Sequence, residues 1–292
     1  MTLLQAILLG IVQGLTEFIP ISSTAHLVLA GRVMNLGLTP EQTTASIAVI
    51  QLGTLLAVIA YFAPDIWNIS WAFVHDHFVL LKSGRRDQFN RANDHARLSH
   101  EALLGWLVII GSIPVAVVGL LFKKQIEGAF TKNLWVIATM MVVVAVLLAI
   151  AEIVGKKRRR MQDLGIKDSL AVGFAQCLAL IPGSSRSGST IMAGLFVGEV
   201  RETAARFSFL LSMPAIAASG LLELKEALHK LPSGSLSALA IGTLISGIVG
   251  YASIWFLLRY LRTHTTAVFI GYRFIVGSAI LIMLFNGRIN AL

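Results

Sequence analysis

The chain has 292 residues, 56% of them hydrophobic and only 13% charged, with a formal net charge of +9 and a mean hydropathy of +0.78. Soluble domains carry about 25% charged residues, so the composition excludes an ordinary water-soluble domain and points to a membrane protein. The positive charge sits in hydrophilic loops such as "KKRRR" at 156–160, which is how a polytopic protein marks its cytoplasmic side; this argues against nucleic acid as a partner.

In chain order, the first element is an apolar stretch interrupted by "QGLTEFIPISSTAHL" at 13–27. It has neither the basic start nor the small-residue cleavage site of a signal peptide. Pro20 breaks the incoming helix, and Ser22, Ser23 and Thr24 suit the start of an outgoing one, which predicts a re-entrant hairpin over 3–34. Apolar runs at about 45–62, 102–122 and 133–153 each have the length to cross a bilayer. The hydrophilic stretch 63–100 between the first two is expected to be a solvated loop, with His75, His77, His95 and His100 as solvated residues. A second interrupted segment, "QCLALIPGSSRSGSTIMAGLFVG" at 176–198, predicts a re-entrant hairpin over 169–199, followed by spans at about 204–223, 236–258 and 267–286. The lone Cys177 lies in an apolar segment, so no disulfide framework is expected.

The two halves resemble each other in order. Ile19-Pro20 aligns with Ile181-Pro182 and Ser22-Ser23 with Ser184-Ser185, and three further apolar segments follow in each half. Each half makes three full crossings, an odd number, so the second is inserted upside down relative to the first. The predicted fold is an all-α polytopic membrane protein of two inverted-topology repeats, 1–154 and 155–292, in one integral membrane domain. Each repeat is a broken re-entrant helical hairpin followed by three transmembrane helices. Loops on one face of this arrangement carry 15 Lys and Arg and those on the other 7, which assigns the first face to the cytoplasm. Paired broken segments in inverted repeats place a site near the bilayer midplane.

The residues there suggest phosphate chemistry. Ser23 and His26 are one helical turn apart, a hydroxyl and an imidazole suited to nucleophilic attack and proton transfer. Glu17 is a costly carboxylate at membrane depth, expected to meet a cation or a metal. "PGSSRSGST" reads as a phosphate cradle: Arg186 supplies a bidentate fork, a helix start supplies backbone donors, and Ser184, Ser185, Ser187 and Thr190 supply hydroxyls. Plainer readings stand beside these. Ser187, Ser189 and Thr190 also suit helix packing, His26 an interior histidine, and Glu17 with Arg186 a structural ion pair. Arg273 either supports the site or snorkels to a surface, and Gln13 and Gln176 read as packing amides. Inverted repeats with broken helices also suit a transporter or lipid flippase.

The motifs "QGLTEFIPISSTAHL" and "PGSSRSGST", with "FSFLLSMP" at 207–214 and "YRF" at 272–274, resemble the signatures of the bacterial undecaprenyl-diphosphatase family, often called bacitracin-resistance proteins. The resemblance runs essentially end to end. It implies a phosphatase of the bacterial inner membrane that converts undecaprenyl diphosphate to undecaprenyl phosphate and inorganic phosphate, recycling the cell-wall lipid carrier. It further implies a divalent cation, Mg2+ or Ca2+, and a site opening to the outer, periplasmic side. By position, Glu17, Ser23, His26 and Arg186 take the catalytic places, with Glu17 as the metal ligand. The diphosphate is expected on Ser22, Thr24, Gly183, Ser184, Ser185, Arg186, Ser187 and Thr190, with Gln13 and Arg273 in support. Gln13 stands where many members have Glu, which puts a direct metal role for position 13 in doubt. Expected partners are the polyprenyl diphosphate and membrane lipids, with a homodimer as the assembly to test.

Overall fold

The computed structural model describes residues 1–83, 98–122, 133–230 and 236–291, the side chains of 40, 41, 219 and 221–230 excepted. Every regular element among them is helical: α1 (Leu3–Phe18), α2 (Ser23–Met34), α3 (Pro40–Tyr61), α4 (Ala63–Ser83), α5 (His100–Leu121), α6 (Leu134–Val154), α7 (Ile166–Gln176), α8 (Arg186–Phe196), α9 (Arg201–Lys230), α10 (Leu236–Leu261) and α11 (Ala267–Phe285). Five are long and apolar enough to cross a membrane: α3 from Gln42, α5, α6, α10 and α11. The segment 204–223 lies within α9, which is not one of those five. Its apolar run is flanked by Arg201, Glu202 and Arg206 and interrupted by Pro214.

Local chemistry sets the helix starts. Thr2 and Thr39 form reciprocal capping boxes with Gln5 and Gln42, and Pro40 occupies the first turn of α3, where its missing N–H costs nothing. Ser99 and Asn133 cap α5 and α6 through their side-chain oxygens.

Helices meet where small residues let backbones approach, as membrane interiors favour. A Cβ on Gly10 of α1 would lie 2.4 Å from the Gly242 carbonyl of α10, and one on Gly53 of α3 would lie 2.0 Å from the Thr243 carbonyl. These contacts pack α1 and α3 against α10. On the other side, α6 packs against α8 and α11, and α7 against α5 and α8. Beneath the tip of the first hairpin, Phe18 meets Phe209 of α9 edge-to-face at 5.3 Å between ring centres. Large apolar side chains also face outward, among them Leu56, Ile113, Leu244 and Ile275, as expected of a surface solvated by lipid.

One stretch departs from the sequence reading. Residues 63–83, expected in a solvated loop, form helix α4, which packs against α5. Its inner face carries Ile69 and Phe73 against Gly105, while Trp67, Trp71, Val74 and Phe78 line its exposed face at helical spacing. His77 is accordingly engaged: Trp106 Nε1 donates to its Nε2 at 3.0 Å and its Nδ1 lies 2.6 Å from the Phe73 carbonyl. His75 sits on the same helix beside Asp76 and stacks on Trp71, and His100 opens α5. His95 lies outside the described residues. Four aromatic and aliphatic residues recurring every three or four positions were the available signal for this helix, masked by the polar residues between them.

Candidate active site

Two helical hairpins break at the same dipeptide. After α1, Ile19 turns extended and Pro20 follows, as expected of a residue held out of the helical region by proline. Ser22 then caps α2 with φ +79°, its Oγ accepting the Ala25 N–H at 3.4 Å. After α7, a short 3-10 turn at Cys177–Leu180 leads to Ile181, again extended, and Pro182. Gly183 has φ +91°, and a Cβ there would lie 2.2 Å from the Ile137 carbonyl of α6, so no side chain fits. Ser185 caps α8 with φ +66°, its Oγ accepting the Gly188 N–H at 3.1 Å. Left-handed φ at a non-glycine residue is uncommon and costs energy. Both hairpins hold that strain at the serine that opens their second helix.

The hairpin tips are joined by charge. Arg186, the first residue of α8, forms an ion pair with Glu17 near the end of α1. Each charge sits at the helix end whose dipole disfavours it, so each depends on the other or on a ligand. An anion arriving at Arg186 would meet both the guanidinium and the start of α8. Glu17 is only 8% exposed. Its second oxygen accepts from Gln13 Nε2 at 2.9 Å, and Gln51 Nε2 lies 3.5 Å from the first. Gln13 Nε2 is also 3.5 Å from Thr54 Oγ1. Gln13, read from sequence as a packing amide, therefore touches the motif carboxylate directly.

His26 lies on α2 with both ring nitrogens engaged. Nδ1 is 2.7 Å from the Ser22 carbonyl and Nε2 is 2.7 Å from the Tyr272 hydroxyl of α11. The carbonyl can only accept, so Nδ1 carries the proton. Nε2 is then the basic atom and accepts from Tyr272. Tyr272 is a residue that motif chemistry did not single out, although the segment "YRF" marked its neighbourhood. Ser23, half-buried, and Thr24, exposed, open α2. Among the described residues Ser23 makes no hydrogen bond to His26.

The remaining predicted residues separate by what they touch. Ser187 Oγ donates to the Ile19 carbonyl at 3.4 Å and lies 3.2 Å from Ser185 Oγ, tying the second hairpin to the first. Thr190 Oγ1 donates to the Arg186 carbonyl at 2.7 Å and meets Ser208 of α9. Among the described residues, the buried Ser184 and Ser189 hydroxyls and the buried Gln176 amide have no hydrogen-bond partner. Arg273 does not snorkel. It is fully buried and donates to the carbonyls of Pro20 (3.4 Å), Gly183 (3.0 Å) and Ser184 (3.1 Å), and to Met140 and Met141 of α6. One guanidinium thus binds both hairpin tips and the helix behind them.

No cluster of three or more metal-ligating side chains exists among the described residues. Glu17 is the carboxylate at the junction, and both its oxygens are engaged. A hard cation there would have to displace a present partner of Glu17 and take its other oxygens from a substrate's phosphates. The donor set does not form an all-protein cage.

Strained serine caps, a cation at a helix start and a histidine whose basic Nε2 accepts from Tyr272 stand together in an all-helical polytopic protein, and these are side-chain types that phosphate-ester or anhydride chemistry uses. A family model described as "Bacitracin resistance protein BacA" matches residues 6–279, and the chain belongs to that family. It is 52% identical over 288 residues to the undecaprenyl-diphosphatase of Syntrophobacter fumaroxidans, covering 98% of this chain and 99% of that one. It is 45% identical to the protein of the same name from Mycolicibacterium gilvum and 46% to that from Chlorobium phaeobacteroides, each over the full length of both chains.

Proposed function

We propose that this protein is a membrane phosphatase that hydrolyses undecaprenyl diphosphate to undecaprenyl phosphate and inorganic phosphate. The observation that carries the reading is the meeting of Arg186, at the start of α8, with Glu17 at the tip of the other hairpin, in a chain whose relatives bear the phosphatase name. The relatives reported above are named for hydrolysis, and the flippase reading has no support.

The mechanism assigns the diphosphate to the tips. Arg186 grips its terminal oxygens in a fork, and the free amides at the start of α8 face the same charge. Ser184, Ser185 and Ser22 line the turns beside it. Ser23 Oγ attacks the terminal phosphorus, the bond to the bridging oxygen breaks, and undecaprenyl phosphate leaves. The Ser23 proton passes to His26 Nε2 once substrate draws the ring from Tyr272. Water then hydrolyses the phosphoserine, releasing inorganic phosphate and restoring Ser23. Direct attack by water on the diphosphate is the competing route, and Ser23→Ala separates the two: near-normal turnover by that variant rules Ser23 out as nucleophile. A divalent cation, Mg2+ or Ca2+, would be held by Glu17 and the phosphate oxygens, and when bound it withdraws charge from the transferring phosphoryl group.

The two halves are read as inverted repeats, supported by the matching Ile-Pro breaks and the matching positive-φ serine caps. The charge bias of the loops supports the inner membrane, with the 155–165 side cytoplasmic and the site opening outward. The decisive assay is phosphate release from a polyprenyl diphosphate by purified protein, abolished by a chelator and restored by Mg2+ or Ca2+. No release at any metal concentration would overturn the phosphatase reading.

A further inference from the structure

A cationic cavity lies where α9 begins. A cavity of about 520 Å3 opens there, between the 155–163 loop, the first turn of α9 and the last turn of α10. Five cationic side chains line it, Lys157, Arg160, Arg201, Arg206 and Arg262, against one carboxylate, Glu202. Glu152 and Asp65 pair with Arg201 and Arg206 from outside the wall. Counting both, two positive charges stay uncompensated.

Three of the five cations are held in place by carboxylates. Arg201 Nε donates to Glu152 at 2.8 Å, Arg206 Nη2 to Asp65 at 2.6 Å and Arg262 Nε to Glu202 at 2.9 Å. Arg160 is exposed and its guanidinium has no carboxylate partner among the described residues. The cavity also receives the start of a 30-residue helix. The first intrahelical bond there is made by the Ala204 N–H to the Val200 carbonyl, so the amides of Arg201, Glu202 and Thr203 precede it and add to the positive potential. The remaining wall is apolar, from Met161, Val200 and Leu261.

Fixed cations, orphan amides and an apolar margin at the ends of membrane helices are the chemistry that takes a phosphate group at a bilayer surface. We infer that this cavity binds a phosphate-bearing anion, either the headgroup of an anionic phospholipid or free phosphate, at a site separate from the hairpin tips. The position gives the site a route to the active site. The Arg158 and Arg159 amides donate to the Gly198 carbonyl at 2.9 and 3.0 Å, so the loop that forms one wall also anchors the end of α8, whose first residue is Arg186.

The test uses the purified full-length chain carrying Arg186→Ala together with Glu17→Gln, which removes the proposed phosphate ligand at the hairpin tips without leaving a buried charge, with and without Arg160→Glu. One arm measures retention of phosphatidylglycerol against phosphatidylcholine by native mass spectrometry. The other follows the thermal midpoint as inorganic phosphate is added. The parent should prefer phosphatidylglycerol or be stabilised by phosphate, and Arg160→Glu should weaken that response by about tenfold, while Arg160→Lys retains it. A response confined to the lipid arm identifies a headgroup site, and one in the phosphate arm a free-phosphate site. Equal responses from parent and Arg160→Glu in both arms, or none in either, overturn the proposal. With Arg186 and Glu17 intact, Arg160→Glu should hydrolyse substrate normally, which shows that the variant is folded.

Discussion

His26 Nε2 and the Tyr272 hydroxyl lie 2.7 Å apart, joining the first hairpin to the last helix across 246 residues of sequence. With Nδ1 bound to the Ser22 carbonyl, this contact fixes both the tautomer and the plane of the imidazole. On the proposed mechanism, Tyr272 positions the imidazole in the resting protein, before substrate takes its place at Nε2. Tyr272→Phe should lower kcat on the order of tenfold, the worth of one such hydrogen bond, with KM little changed and the pH–rate profile displaced. His26→Ala should cost more, roughly 10²–10⁴ in kcat. A Tyr272→Phe enzyme with unaltered kcat and pH profile would remove the role.

Glu17 and Arg186 neutralise each other away from water, so the loss of one partner leaves a buried charge. Glu17→Gln should destabilise the protein by roughly 3–5 kcal/mol, read as a lower thermal midpoint, and should abolish metal-dependent turnover. Gln13→Glu acts in the opposite direction on the metal. A second carboxylate beside Glu17 adds a hard-cation ligand, so half-maximal activity should need less divalent ion. An unchanged metal requirement would show that position 13 does not reach the cation.

Gly183 and Gly37 both have positive φ, but a Cβ at Gly183 meets the Ile137 carbonyl while one at Gly37 meets nothing within 4 Å among the described residues. Gly37→Ala should therefore cost only the left-handed strain, about 1–2 kcal/mol. Gly183→Ala must also push the tip away from α6 and disturb the carbonyl bound by Arg273. It should lose more stability than Gly37→Ala and most of its activity, measured by thermal unfolding and phosphate release. Equal effects of the two substitutions would mean that the contact with α6 is not needed.

Glu199, in the connection after α8, is fully buried, and among the described residues neither of its carboxylate oxygens has a partner. Burial, and then the nearby Asp168 charge, raise its pKa to about 8. A carboxyl with a raised folded-state pKa binds its proton more tightly folded than unfolded. Its contribution to stability is therefore complete below about pH 4.5 and is lost as pH rises through about 8. Glu199→Gln, which stays neutral, should raise the thermal midpoint at pH 8 by a few degrees and flatten its fall between pH 5 and about 8. Parallel pH profiles for the two proteins would overturn this.

The fold class was legible in sequence because solvation by lipid demands long apolar helices, and the five spans announce themselves by length and composition alone. The hairpin breaks were legible too, since Pro20 and Pro182 interrupt helices by covalent geometry whatever surrounds them. The charged residues of the two interrupted segments stood out too, and the structure joins them as the Glu17–Arg186 ion pair that was one of the sequence readings. Partnership was decided only in three dimensions. That Arg273 turns inward to five carbonyls, that Gln13 serves Glu17, and that Tyr272 meets His26 depend on which helices become neighbours, which spacing along one chain does not encode. The amphipathic helix α4 and the basic cavity at the start of α9 belong to the same class, since each is assembled from segments that read, one at a time, as solvated loop.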